Sequence, residues 1–275
     1  MADSTKRFLV RQGPWRWECI VFGEGQRTLF AFHGFDNDAD DLTIFQPSLS
    51  PLYRMVSVNL FFHGNSHSEL SPDEAHFDTT ALKDLFEQLL EQLSVERFSL
   101  LGFSLGGRIC LELIGLFADR IDQCYLLAAD GLRISPWYRF LTRNPLGHRL
   151  FQNATDNPST FLKLAGFFRK TGLVGEKQYK FAWSYFNTQE KRKKVYDVWT
   201  IFRLLLPDRK SICQQIIANE LTVDLIFGKR DSVIPAVHAK KWKRSLKDRC
   251  RIHVTDDGHN LLKQEIGALI ARIAP

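Results

Sequence analysis

Eight short runs of this chain are dominated by apolar residues, many of them β-branched or aromatic: RFLVRQ, WECIVFG, TLFAFHG, MVSVNLFF, RFSLLG, QCYLLAAD, TVDLIFG and CRIHVTD. In many of them the apolar residues are consecutive, apolar on both faces, as buried strands of a parallel sheet tend to be. Between the later runs the period changes. In DTTALKDLFEQLLEQLS (78–94), Leu82, Leu85, Phe86, Leu89, Leu90 and Leu93 recur at helical spacing, with Asp78 or Thr79 placed to cap the start. GGRICLELIGLFAD reads as a buried helix and NLLKQEIGALIARIA as a closing amphipathic one. Strand and helix in alternation predict an α/β fold: a mostly parallel eight-stranded sheet flanked by helices. The first three strands have no helix between them, so the N-terminal edge is expected to be antiparallel. From 132 to 213 the strand pattern stops, and a helical insertion is expected there. The core is then 1–131 with 214–275.

Composition adds few constraints. With 275 residues, 44% hydrophobic and 25% charged, the chain can bury a substantial core. Its five cysteines are odd in number and show no C-x-x-C spacing, so reduced thiols are expected, with neither zinc site nor disulfide framework. No signal-like run opens the chain and no apolar stretch reaches the length of a membrane span, which reads as a cytoplasmic protein. The sequon Asn153-Ala154-Thr155 carries little weight in that setting. Charge is more informative. Sixteen of the 37 Lys and Arg, but only five of the 31 Asp and Glu, lie between residues 132 and 213. The same segment holds fifteen aromatics: Trp137, Tyr138, Phe140, Phe151, Phe161, Phe167, Phe168, Tyr179, Phe181, Trp183, Tyr185, Phe186, Tyr196, Trp199 and Phe202. Most are expected to pack the insertion itself and the rest to line an apolar pocket. The run QEKRKKVYDVW resembles a solvated helix face.

The chemistry concentrates at SLLGFSLGGR, 99–108. Gly102-Phe103-Ser104-Leu105-Gly106 fits G-x-S-x-G, set between a strand and a helix. Such a turn strains the backbone at the serine, and the small residues two before and two after it avoid collisions. The hydroxyl is left exposed at the carboxyl end of the sheet. The Leu105 N–H, at a helix N-terminus, can stabilise an oxyanion.

A serine needs a base. In DGHN, His259 follows a strand and precedes the last helix; in GKRDSVIP, Asp231 follows another strand. His259 is expected to take the Ser104 proton, and Asp231 to hold the imidazole tautomer. Asp130, at the end of the sixth strand, is the alternative acid. In FAFHGFDND, Gly34 lets a loop pass close to the elbow, the Phe35 N–H is the expected second oxyanion donor, and His33 reads as a buried structural residue. Gly34 and Phe103 are assigned to substrate binding. His63 and His67 are four apart, but Gly64 and the loop context argue against a metal pair. No H-E-x-x-H, Walker or G-x-G-x-x-G pattern occurs.

Taken in order, HGF (33–35), FHGNS (62–66), GFSLGG (102–107), GKRDSVIP (228–235) and DGHN (257–260) resemble the α/β-hydrolase superfamily, in its capped single-domain serine hydrolase branch. The resemblance covers nearly the whole chain. It implies Ser104, Asp231 and His259 as a triad, Phe35 and Leu105 as oxyanion donors, and a helical cap after the sixth strand, where 132–213 falls. One departure is visible: Asn59, Phe61 and Phe62 replace the Asp, Pro and Gly of the family's D-x-P-G-H-G-x-S. Serine at 104 argues against the dehalogenase and epoxide-hydrolase branches, which place Asp there.

The expected function is hydrolysis of carboxylic esters or related acyl compounds through an acyl-enzyme, needing no metal or organic cofactor. Two alternatives stay open: triad-dependent C–C hydrolysis or lysis of an anionic substrate, and a non-catalytic binding protein on the same fold. The basic segment is a solvated face, a steering field for an anionic substrate, or a peripheral contact with an anionic membrane. No nucleic-acid motif accompanies the charge. A monomer or a homodimer fits equally.

Overall fold

In the computed structural model, residues 5–157, 159, 163, 166, 167, 169 and 188–275 are described. All eight runs form strands: β1 Lys6–Gln12, β2 Trp15–Phe22, β3 Arg27–Phe32, β4 Tyr53–Val58, β5 Phe98–Phe103, β6 Ile121–Leu127, β7 Val223–Gly228 and β8 Cys250–Thr255. A two-residue strand, His67–Ser68, also pairs with β2. The spatial order is β1-β2-β4-β3-β5-β6-β7-β8. β2 is antiparallel to β1 and β4, and every other neighbouring pair is parallel. The antiparallel edge is thus confined to β1 and β2. β3 is not part of it, because β4 inserts between β2 and β3. β4 is shorter than MVSVNLFF suggests: it stops at Val58, where the Asn59 side chain turns to accept the Ala39 N–H.

Two-sided burial follows from strand periodicity. Along β3, Leu29 and Ala31 join the cluster of Phe45, Met55, Ile266 and Ile270, which includes the closing helix Gln264–Ile273. Phe30 points the other way, its ring 5.0 Å from Phe86 and 5.4 Å from Phe98. Phe86 belongs to the helix Thr79–Leu93, which buries Leu82, Leu85, Leu89 and Leu90 beside it and starts where Asp78 accepts the Ala81 N–H. Burying rings such as these stabilises the fold by about 2–3 kcal/mol each. The closing helix begins four residues later than its apolar pattern, because Asn260 Oδ1 accepts the Leu262 N–H and holds that segment in a turn. β8 is an edge strand, leaving Val254 54% exposed. All five cysteines are unpaired and buried. No helix among the described residues is long and apolar enough to cross a membrane.

The chain divides into two compact units. One comprises Met1–Glu69, Asp78–Arg133 and Leu205–Pro275; the other comprises Leu70–Phe77 and Ile134–Leu204. The helix Arg209–Ala218 falls in the first unit and packs on the helix Leu105–Phe117. In the second, the helices Pro136–Arg143 and Pro145–Asp156 each begin with proline at the first turn, where its missing N–H costs nothing. Phe151 packs on Tyr196 and Trp199, and Tyr138 donates to the Trp199 carbonyl. Asp73 accepts from Tyr196 and contacts His148, fastening the 70–77 excursion to these helices. QEKRKKVYDVW forms most of the helix Gln189–Ile201, but only its first turns are solvated. Arg192 is buried, donating to the Thr155 carbonyl, and Val195, Tyr196, Asp197 and Val198 are buried with it. Phe161, Phe168, Tyr179, Phe181, Trp183, Tyr185 and Phe186 lie outside the described residues; Phe167 is exposed.

Candidate active site

The elbow forms where β5 runs into the helix Leu105–Phe117. Ser104 sits between them with φ 50° and ψ −114°, a conformation L-residues avoid. Its own backbone is fully engaged: the N–H donates to Leu127 O (2.9 Å), and the carbonyl accepts from Gly107 N (2.9 Å) and Asp130 N (2.8 Å). The glycines have physical work there. A Cβ on Gly102 would lie 2.7 Å from the Gly106 carbonyl oxygen, and one on Gly106 would lie 2.1 Å from the Phe32 carbonyl oxygen. Any side chain at either position would force β3, β5 and the helix apart.

Asp231 and His259 come from the ends of adjacent parallel strands, Gly228 being in register with Thr255. The two loops zip together beyond the strands: Lys229 N donates to Thr255 O, and Arg230 N donates to Asp257 O, both at 2.8 Å. Gly228 permits this, since a Cβ there would lie 2.1 Å from the Gly258 carbonyl oxygen. The result is a continuous chain of hydrogen bonds. His259 Nε2 lies 3.1 Å from Ser104 Oγ, and His259 Nδ1 lies 2.8 Å from Asp231 Oδ2. The other carboxyl oxygen of Asp231 accepts the N–H groups of Val233 (2.7 Å) and Ile234 (2.9 Å), and its side chain is fully buried. The carboxyl thus has one oxygen reserved for backbone and one for imidazole. This arrangement orients His259 with Nδ1 donating and Nε2 ready to accept a proton from Ser104.

The expected alternative acid is engaged elsewhere. Asp130 Oδ2 accepts from the buried Arg108 guanidinium, and Oδ1 accepts the Gly131 N–H at 2.7 Å. Leu105 is the first residue of its helix, where a backbone N–H has no acceptor within the helix. Gly34 passes so close to the elbow that a Cβ there would lie 3.1 Å from Ser104 Cβ and 2.9 Å from the Phe103 ring. Phe103 is 4% exposed, packed between Gly34 and the His259 ring 5.5 Å away. Phe35 follows Gly34 and is half-buried. His33 is buried, with Nδ1 2.7 Å from the Gly34 carbonyl oxygen and Nε2 accepting the Leu60 N–H at 2.9 Å. That second bond fixes the tautomer: Nδ1 donates. His63 and His67 do not converge, since His63 is buried against the His33 ring and His67 is exposed. Among the described residues no cluster of His, Cys, Asp and Glu could hold a metal ion.

Two buried charged groups, Arg108 and Glu18, have no counterpart in the sequence reading. Arg108 carries the only hint, a cation one turn past Ser104 in a helix whose one other charged residue is Glu112. Glu18 belongs to a polar network with Asn59, Asn65 and Ser66, residues more than forty positions away.

Comparison with known proteins bears on the fold. The chain is 25% identical over 224 residues to the dihydrolipoyllysine-residue acetyltransferase component of the acetoin cleaving system of Pseudomonas putida, covering 80% of this chain and 56% of that protein. It is 31% identical over 109 residues to a fluoroacetate dehalogenase of Burkholderia sp, covering 39% and 36%. The matches thus span about half, or less, of those relatives' own length. In structure it is similar to a thermophilic esterase from Thermogutta terrifontis, with TM-score 0.67 and 16% identity over 97% of both chains, a likeness of fold. The model for the alpha/beta hydrolase fold matches residues 27–265, and the chain belongs to that family.

Proposed function

We propose that the protein is a serine hydrolase acting on carboxylic esters or related acyl compounds. The observation that carries this reading is the hydrogen-bonded chain Asp231–His259–Ser104, ending on a serine in a strained turn. Ser104 Oγ attacks the acyl carbon while its proton passes to His259 Nε2. Asp231 stabilises the imidazolium that forms. The carbonyl oxygen, now an oxyanion, takes hydrogen bonds from the N–H groups of Phe35 and Leu105. His259 returns the proton to the leaving oxygen, the alcohol departs, and water repeats the sequence on the acyl-enzyme. Gly34 and Phe103 form the wall of the acyl site nearest Ser104. The likeness to a dehalogenase does not extend to its chemistry in this reading, because an alkyl halide displacement by a carboxylate needs Asp where this chain has Ser104.

A second reading, triad-dependent C–C cleavage of an anionic substrate, is favoured by one observation, the basic balance of residues 132–213. The two separate on turnover. Hydrolysis of p-nitrophenyl esters by the wild type and its loss in Ser104→Ala supports the ester reading. Poor turnover of simple esters, with rates on anionic substrates that fall as salt rises, supports the second.

A further inference from the structure

The Phe35 N–H is carried by a loop, so its position depends on what holds that loop. β3 ends at Phe32 and the chain is next helical at Asp40. Between them Asp36 has φ 68°, a left-handed conformation that needs support. The segment 59–66 supplies it at three points. Leu60 N–H donates to His33 Nε2 at 2.9 Å, His63 Nε2 lies 3.4 Å from the Asp36 N–H nitrogen, and Asn59 Oδ1 accepts the Ala39 N–H at 2.8 Å.

Asn59 is itself locked. Its Nδ2 donates to Glu18 Oε2 at 2.6 Å. Glu18 lies on β2, 5% exposed, and accepts two further bonds from Asn65: the backbone N–H on Oε2 (3.0 Å) and Nδ2 on Oε1 (2.6 Å). Burial pushes this carboxyl up, but the donors from Asn65 and Asn59 outweigh it and hold it below its ordinary value. Gly64 completes the enclosure, since a Cβ there would lie 2.2 Å from Asn59 Nδ2 and 2.4 Å from Glu18 Oε2.

This explains why position 59 departs from the Asp of the D-x-P-G-H-G-x-S pattern. A carboxylate there could accept the Ala39 N–H but could not donate to Glu18. Two carboxylates at that separation cannot both ionise, so an Asp at 59 keeps the Glu18 bond only while one of the two holds a proton. An amide does both jobs at once, accepting on one side and donating on the other.

We propose that Glu18 and Asn59 are a positioning pair for the oxyanion loop: Asn59 relays the anchorage of a buried carboxylate on β2 to the Ala39 N–H, and so fixes the Phe35 N–H relative to Ser104. The proposal rests on the acyl-transfer reading of the site. Neither residue acts on substrate; both act through the loop.

The test compares wild type, Asn59→Asp and the double variant Glu18→Gln/Asn59→Asp. The double variant restores the amide–carboxylate bond with the two places exchanged, at the loss of the acceptor that Glu18 Oε2 gives the Asn65 N–H. Two quantities are read: kcat and KM on p-nitrophenyl acetate, and amide hydrogen exchange of residues 33–39. At alkaline pH, where a proton shared by the two carboxyls is drawn off, Asn59→Asp is expected to lower kcat about 10- to 100-fold with KM within about threefold, as misplacing an oxyanion donor does. Its 33–39 amides are expected to exchange faster. The double variant is expected to exceed Asn59→Asp in both kcat and protection, short of wild type because the Asn65 N–H has lost its acceptor. If Asn59→Asp does not fold, the double variant alone decides. Unchanged exchange and kcat in Asn59→Asp, an effect on KM alone, or a folded double variant without recovery would each overturn the pair. A wild type that turns over no ester defeats the acyl-transfer reading instead, and the exchange measurement still decides whether the pair holds the loop.

Discussion

Asp231 offers its two carboxyl oxygens to different partners: Oδ2 to His259 Nδ1, and Oδ1 to the N–H groups of Val233 and Ile234. The division has a consequence for Asp231→Asn. The backbone donors will hold the amide oxygen at the Oδ1 position, which turns the NH2 group toward His259. Nδ1 must then accept, the ring proton moves to Nε2, and Nε2 can no longer take the Ser104 proton. Ester turnover is expected to fall about 10⁴-fold in kcat with the fold unchanged. Steady-state kinetics alongside circular dichroism checks this.

Asp130 is expected to behave differently. It pairs with Arg108, whose side chain is 4% exposed, and its other oxygen caps the Gly131 N–H. Asp130→Asn weakens a buried ion pair rather than a proton relay. Stability should drop by roughly 3 kcal/mol, while kcat per folded molecule stays within a few-fold of wild type. Urea unfolding and turnover measured on the same preparation separate the two effects. A kcat loss as large as that of Asp231→Asn would make Asp130 the acid.

Much of this was legible in the chain. The inner strands were readable because their residues are apolar on both faces, the edge strands β1 and β8 only as short apolar-rich runs, and the G-x-S-x-G turn was readable because Gly102 and Gly106 are each required by a contact closer than a Cβ allows. Asp231 and His259 stand just beyond Gly228 and Thr255, the paired ends of neighbouring strands, so strand ends alone located both. The insertion of β4 between β2 and β3 was not legible, since strand order depends on pairings between distant segments. The same is true of Glu18 with Asn59 and Arg108 with Asp130: a polar residue in an apolar run marks an oddity, and its partner is named only by the fold. The closing helix was read too long because its apolar period begins in a turn set by Asn260.

Glu112 gives a stability prediction with a definite sign. It is buried on the helix that follows Ser104, and burial pushes its carboxyl up to about 7, against the opposing pull of the Thr79 hydroxyl and Arg108. Between its ordinary value near 4.5 and about 7, the folded protein keeps a proton that the unfolded chain has released. Stability therefore falls as pH rises through that window, and the loss is complete above it. Glu112→Gln removes this dependence. Relative to wild type, the variant should gain roughly 1–3 kcal/mol between pH 5 and pH 8. Urea unfolding at both values measures the gap; a gap that does not change with pH contradicts the assignment.

The central claim is that Ser104 is an activated nucleophile, and covalent labelling tests it most directly. Wild type and Ser104→Ala are treated with a fluorophosphonate, and intact mass is read for each. The account predicts one added phosphonyl group on the wild type and none on Ser104→Ala. An unlabelled wild type, or equal labelling of both proteins, contradicts it.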